Sequence, residues 1–440
     1  MKKIYYQLKT FVLFTGLFSV STLLSISSAA DQVQKGDVVA ICGDTLSNPR
    51  GYSAMIEMYL LVCQKGGPVR TAQFCQGNDC IKYLWARGVK PILEIHPTVV
   101  TTCYGMEDGY FFPVDAPALV GTKGAFETYS NTLRSLIREF KSNGVRMVVV
   151  GSPGAVKTEN FIPRYQHNIV DYNRTLAVFR DIARRVAKEE DCPFANVHDL
   201  MLDVMGKAKR KYGDAYHVCG ADGWRPAENG QLVMAYAFLR AMGCDGDIGK
   251  IEIDIAKGNA TASNGHKVVS YNGGEVKVES SRYPFCFSGR PDDPAATTGI
   301  IEFFPFNEEL NRFTLVVNGL ASSENVRVAW GAAANKVYSA ADAAEGINLA
   351  AEYLNNPFCE PFKTILATVR KKQDWETPFY RDRLSKISSL KNDIKDFDPE
   401  LAESLDQLAP ALVQVHSRMS DTLSASVLPV VHTIKVEVLK

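Results

Sequence analysis

Three short segments hold the residues whose types and spacing bear on chemistry: Cys42-Gly43-Asp44-Thr45-Leu46-Ser47, Tyr104-Gly105-Met106-Glu107-Asp108-Gly109 and Asp222-Gly223-Trp224-Arg225-Pro226. Thr45 offers an alcohol, but an alcohol becomes a nucleophile only when a base takes its proton. Its extra methyl also stiffens χ1 and crowds an attack. Arg225 cannot take that proton, because a guanidinium stays charged. Glu107, when ionised, only accepts hydrogen bonds and repels negative charge. His217, five residues before Asp222, and His198 are the histidines near enough in sequence to replace a base. Both are read first as ordinary surface or core residues, since geometry must show a base. Asp44, Asp79, Glu107, Asp108 and Asp222 have the oxygen ligands that a hard divalent cation needs. The simpler expectation is preferred: Glu107 and Arg225 pair with each other, and no metal or cofactor is bound.

The elements around these residues read as alternating strands and helices from residue 37 to 243. Asp37 to Ile41, Val69 to Phe74, Thr98 to Tyr104, Val145 to Val150 and Phe194 to Val197 are apolar or β-branched runs and read as strands. Tyr52 to Val62, Cys80 to Arg87, Glu127 to Ser142, Tyr172 to Lys188, Leu200 to Lys211 and Asn229 to Met242 read as helices between and after them. Such alternation predicts a mostly parallel sheet covered by helices on both faces. In sheets of that kind, sites form at the carboxyl ends of strands. Thr45, Asn78 and Glu107 all follow strand ends, so the pattern places them on one rim.

The three segments stand in the order and spacing of the SGNH/GDSL hydrolases, whose motifs read G-D-S, G-x-N-D and D-x-x-H. The resemblance spans residues 35 to 243. It is closest to the secreted bacterial type, in which a small β segment and a helical segment follow the hydrolase domain. It implies a flavodoxin-like three-layer α/β/α domain. It also implies that Thr45 stands where the family has its serine, Glu107 where it has its asparagine and Arg225 where it has its histidine, with Asp222 as the motif's Asp. The second family block corresponds to Cys75-Gln76-Gly77-Asn78-Asp79, with Asn78 at the oxyanion glycine position, or Gly77 on a register shifted by one. The scaffold is retained and the catalytic side chains are replaced.

Beyond Gly246 the pattern changes. Lys250 to Ile255, Lys267 to Tyr271, Glu275 to Glu279, Phe313 to Val317 and Asn325 to Ala329 alternate or run apolar as strands do, and Asn272-Gly273-Gly274 is a hairpin signal. The expected division is a signal peptide over 1–30, an SGNH-type domain over 31–246, a small antiparallel β domain over 247–337 plus 428–440, and a helical insertion over 338–427. The helical segments read as Asp342 to Tyr353, Phe362 to Lys372, Arg381 to Asp396 and Pro399 to Arg418. Tyr271, Tyr283, Phe285, Phe287, Phe303, Phe304 and Phe306 have the ring chemistry for stacking on sugars, although such residues more often fill small cores.

Composition narrows the partners. The chain has 440 residues, 49 basic and 49 acidic, for a formal net charge of zero. No basic stripe is visible, which argues against nucleic acid. Lys2, Lys3 and Lys9, the apolar run from Phe11 to Ile26 and the small residues Ser28-Ala29-Ala30 read as a secretory signal cleaved before Asp31. Export to the periplasm or medium is expected, with no stable membrane span after cleavage. Export permits disulfides among the ten cysteines. Cys42 and Cys103 read as buried thiols at strand ends, and Cys75 and Cys80 as a pair able to bridge the loop between them. Three functions fit these readings: a catalytically degenerate hydrolase fold that binds a carbohydrate or ester-like small molecule, an ester hydrolase using Thr45 with a relocated base, and a structural envelope protein.

Overall fold

The computed structural model describes residues 32–47, 50–64, 67, 69–114, 122–161 and 171–439. The expected signal peptide lies outside the described residues. Five strands form the first sheet: β1 (Val38–Gly43), β2 (Arg70–Gln73), β3 (Val99–Cys103), β4 (Met147–Gly151) and β5 (Phe194–Ala195). All pair in parallel, in the order β2-β1-β3-β4-β5. Every residue of β3 and β4 is buried, as expected of strands covered on both faces. The interleaved helices are α1 (Tyr52–Met58), α2 (Ile81–Arg87), α3 (Lys90–Leu93), α4 (Thr122–Ser142), α5 (Tyr172–Glu189), α6 (Val197–Tyr212) and α7 (Glu228–Ala241). The wider turns of a π-helix extend α1 through Cys63. Two apolar cores flank the sheet. One packs Val39, Ile41, Val149 and α7 on one face, and the other packs Ala40, Val100, Val148, α4 and α5 on the opposite face. This is a three-layer α/β/α domain, and in this strand order the chain reverses direction between β1 and β3. That reversal is where a crevice opens at the strand ends.

The remainder adds two sheets. One contains β6 (Asp247–Asp254), β7 (Asn259–Ala262), β10 (Arg312–Asn318) and β13 (Ile347–Asn348). The other contains β8 (His266–Asn272), β9 (Glu275–Ser280), β11 (Asn325–Trp330), β12 (Lys336–Ser339) and β14 (Val430–Leu439). The β8–β9 hairpin forms where the Asn-Gly-Gly signal lies, with Gly273 and Gly274 both in the left-handed region that its tight turn requires. Pairing is antiparallel except between β6 and β10, which run in parallel. More than fifty residues separate those two strands, enough for a crossover instead of a hairpin.

The helices of the C-terminal half are α8 (Phe306–Leu310), α9 (Ala340–Glu345), α10 (Leu349–Glu352), α11 (Cys359–Pro378), α12 (Ser385–Ile394) and α13 (Pro399–Ala425). One helix was expected over Asp342 to Tyr353. The chain breaks there at Gly346, at φ +127°, so that Ile347 and Asn348 can pair with β10. Of the aromatics considered for sugar stacking, Tyr283, Phe285, Phe287, Phe304 and Phe306 are buried, so they serve the core. Among the described residues, no helix is long and apolar enough to cross a membrane.

Candidate functional site

The loop after β1 begins with a carboxylate acting as a fastener. Asp44 Oδ1 accepts the Leu46 N–H at 3.1 Å, and Oδ2 accepts the Met106 N–H at 3.2 Å. One buried side chain therefore fixes both the turn that presents Thr45 and the segment that presents Glu107. Gly43 allows the chain to double back here, since a Cβ would lie 2.1 Å from Ser47 Oγ. Gly105, at φ +122°, turns the chain out of β3 toward Glu107. The sheet thus brings together three of the expected residues. The Thr45 hydroxyl donates to Glu107 Oε1 at 2.6 Å, and Thr45 Oγ1 accepts the Asn78 backbone N–H at 2.6 Å. Asn78 has φ +58°, a conformation that favours glycine. The N–H aimed at the hydroxyl therefore belongs to Asn78 and not to Gly77.

Asp222 and Arg225 form a second cluster. Asp222 Oδ1 accepts the N–H groups of Trp224 and Arg225 at 3.3 and 3.0 Å, closing a tight turn. The Arg225 guanidinium donates to Asp222 Oδ2 and lies 5.3 Å from the Trp224 ring centroid. The expected Glu107–Arg225 ion pair does not form. Three residues separate Asp222 from Arg225, so the local carboxylate reaches the guanidinium first, while Glu107 accepts the proton of Thr45.

Gln231 of α7, which sequence reasoning passed over, connects the two clusters. Its Oε1 accepts the Tyr52 N–H at 2.8 Å, and its Nε2 donates to the carbonyls of Leu46 and Pro226 at 3.1 and 3.3 Å. The one signal in the sequence was a polar side chain beside the long apolar run of this helix. Lys157 adds a brace from the loop after β4, with its N–H on the Gly223 carbonyl at 2.7 Å.

The five carboxylates considered as cation ligands disperse to separate partners. Asp79 holds Arg87 through two bonds of 2.9 and 2.7 Å, Asp108 Oδ1 accepts the Ile81 N–H at 3.0 Å, and Asp44, Glu107 and Asp222 are engaged as above. No cluster able to hold a metal occurs among the described residues. The site is nonetheless acidic. Burial, then the neighbouring Glu107 carboxylate, pushes the Asp44 carboxyl well above its ordinary range. Burial lifts Asp108 to about 7.

Neither candidate histidine serves Thr45. His198 Nδ1 lies 3.1 Å from Asp199, and His217 Nδ1 is buried with no hydrogen-bond partner among the described residues. Among the described residues, no imidazole hydrogen-bonds the Thr45 hydroxyl. Cys42 and Cys103 are buried free thiols, and Cys75 and Cys80 are separate buried thiols with no bridge between them.

Comparison with known proteins fits this geometry. Residues 40–219 match the GDSL-like lipase/acylhydrolase family. The match takes in the first two segments and stops short of Asp222 to Pro226, and over residues 40–219 the chain has the fold of an SGNH/GDSL hydrolase. No curated protein sequence matches. Among solved structures, the chain is similar over 93% of its length, and 99% of the other chain, to a gut microbial diltiazem-metabolizing enzyme, at 20% identity and a TM-score of 0.67. It is also similar over 48% of its length to a catalytic mutant of an acetylxylan esterase from Geobacillus stearothermophilus, at 19% identity, 96% of that chain and a TM-score of 0.39. An alpha/beta hydrolase enzyme from the metagenome of Lake Arreo, Spain, matches over 48% of this chain and 97% of its own, at 20% identity and a TM-score of 0.38.

Proposed function

We propose that this protein is an exported hydrolase-fold protein that has lost ester hydrolysis and binds a neutral hydroxyl- or ester-bearing small molecule, such as an acylated sugar, in the old cleft. The observation that carries this reading is the closed set of partners around Thr45. Its hydroxyl proton goes to Glu107, and its oxygen takes the Asn78 N–H, a donor that an oxyanion would need. An acyl oxygen turning negative at this point would meet a carboxylate, and electrostatic stabilisation of that charge is the largest contribution such enzymes make. Arg225 stands where the family has its base and is held by Asp222 and Trp224. The Glu107 carboxylate beside Thr45 disfavours an anion, which leaves a neutral ligand with hydroxyl and carbonyl groups as the better fit.

A second reading rests on the same 2.6 Å bond: Glu107 acts as general base for Thr45 in a slow ester hydrolase. The two readings differ in the fate of a bound ester. Purified protein incubated with a panel of acetylated and deacetylated oligosaccharides is followed by saturation-transfer NMR. Binding with the acetyl groups intact after hours supports the degenerate reading. Consumption of the ester that stops in Thr45→Ala overturns it in favour of the second, and absence of any binding overturns both.

A further inference from the structure

A cavity of about 670 Å³ lies away from Thr45, between α1, α11 and the segment that follows β9. Met55, Phe285, Phe287, Phe362 and Leu366 make it largely apolar, and Cys286 and Cys359 share its wall. The two thiols face the same cavity and lie near enough for each to perturb the other's titration. Asn356 touches both: its Oδ1 accepts from Cys286 Sγ at 3.8 Å, and its backbone N–H donates to Cys359 Sγ at 3.4 Å.

We propose that Cys286 and Cys359 are a redox-active dithiol that closes to a disulfide in the wall of this cavity, with a small-molecule or protein disulfide as oxidant.

The two positions differ in the way that an attacking and a resolving cysteine differ. Cys359 is the first residue of the twenty-residue helix α11 and is half-buried. Helix N-termini favour thiolates. The neighbouring Cys286 thiol and then, against the opposing effect of burial, the Asn356 N–H bring its thiol down to about 6. Cys286 is buried, and burial pushes its thiol up. In the step proposed, the Cys359 thiolate attacks one sulfur of the oxidant disulfide and expels a thiolate, which takes up a proton. The Cys286 thiol then gives up its proton and attacks Cys359 Sγ, expelling the second half of the oxidant as a thiol. Two protein S–H bonds and one oxidant S–S bond become one protein S–S bond and two oxidant thiols.

The consequence is mechanical. The bond closes a loop of about seventy residues, and loops of that length gain the most from a cross-link. It also ties the β half of the molecule to the helix that braces the hydrolase-type domain.

The test uses the full chain, first reduced and then exposed to oxidised glutathione. After an acid quench, free thiols are alkylated with N-ethylmaleimide under denaturing conditions, and intact mass and proteolytic peptides are read. The account expects two fewer alkylated cysteines than in the reduced protein, a peptide joining Cys286 to Cys359, and a melting midpoint raised by roughly 5–10 °C. Cys286→Ser should leave a glutathione adduct on Cys359, and Cys359→Ser should give neither cross-link nor adduct at Cys286. Unchanged alkylation of the wild-type chain after oxidation, or a cross-link that joins either cysteine to a third such as Cys63, overturns the proposal. The peptide readout on the unsubstituted chain decides this even if a variant fails to fold.

Discussion

A threonine hydroxyl facing a carboxylate is the smallest unit of the account, and it predicts what repair requires. Arg225→His alone should not restore hydrolysis, because the Glu107 anion stays beside the nucleophile. Thr45→Ser, Glu107→Asn and Arg225→His together restore an alcohol, an amide donor and an imidazole. Initial rates on a simple acetyl ester should rise by at least ~10² for the triple variant over the single one, the value of one oxyanion donor.

Asp108 carries a second prediction at this scale. Its folded pKa is raised from the ordinary value to about 7, so the carboxyl is neutral and unstrained in acid and costs stability as pH rises from about 4 through about 7. Asp108→Asn removes that charge. Its unfolding free energy should match the parent at pH 4 and exceed it by roughly 4 kcal/mol at pH 8, read by denaturant titration. Equal stability at both values would show that burial is not what shifts this group.

At this scale the sequence was legible in residue type and blind to pairing. Thr45, Asn78 and Glu107 could be placed on one rim because each follows a strand end. That Arg225 turns to Asp222 depends on side-chain geometry within a tight turn, and the spacing of the motif does not reveal it.

Among the elements, the two C-terminal sheets are joined by a buried chain of hydrogen bonds. Trp330 Nε1 donates to His432 Nδ1 at 3.0 Å, His432 Nε2 meets Ser280 Oγ at 2.9 Å, Ser280 Oγ meets His266 Nδ1 at 2.8 Å, and His266 Nε2 meets the Ile248 carbonyl at 3.0 Å. An indole can only donate and a carbonyl can only accept, so His432 Nδ1 accepts, His266 Nε2 donates, and the His432 imidazole must be neutral. Burial, then His266, accordingly brings His432 down to about 3. A folded pKa below the unfolded value gives stability that is complete above about pH 6.5 and lost as pH falls toward about 3. Unfolding of the wild-type chain should therefore become easier across that window by roughly 2–4 kcal/mol. In His432→Gln, an amide can reproduce the neutral donor and acceptor, and the dependence should flatten. An unchanged slope would remove His432 as its source. His432 was legible in the segment 428–440 expected to complete the β domain, and Trp330 stands one residue past the strand expected over Asn325 to Ala329. Their meeting depends on β14 inserting between β9 and β11 from more than a hundred residues away, a register that local pattern does not encode.

For the molecule as a whole, a buried polar cluster seats α11 and α13 on the hydrolase-type domain. Lys372 Nζ lies 2.8 Å from Glu57, 2.6 Å from Glu376 and 2.9 Å from the Thr71 carbonyl, and His416 of α13 meets Glu376. Gln373 takes the Ser53 hydroxyl and reaches Glu57, both at 2.8 Å. Lys372→Met leaves two buried carboxylates without their cation and should cost ~3–5 kcal/mol, measured by chemical unfolding; a cost below ~1 kcal/mol would show the cluster to be incidental. The sequence suggested helices here, over Phe362 to Lys372 and Pro399 to Arg418. Nothing local marks Lys372 as buried, because its partners come from α1 and β2, some three hundred residues earlier.

The central claim is that the hydrolase-type cleft no longer hydrolyses esters. Its most direct test is the steady-state rate of acetyl-ester hydrolysis by the purified protein beside Thr45→Ala, at neutral pH. The account predicts that the two rates are equal and indistinguishable from buffer. A wild-type rate well above buffer that falls to the buffer value in Thr45→Ala would contradict it.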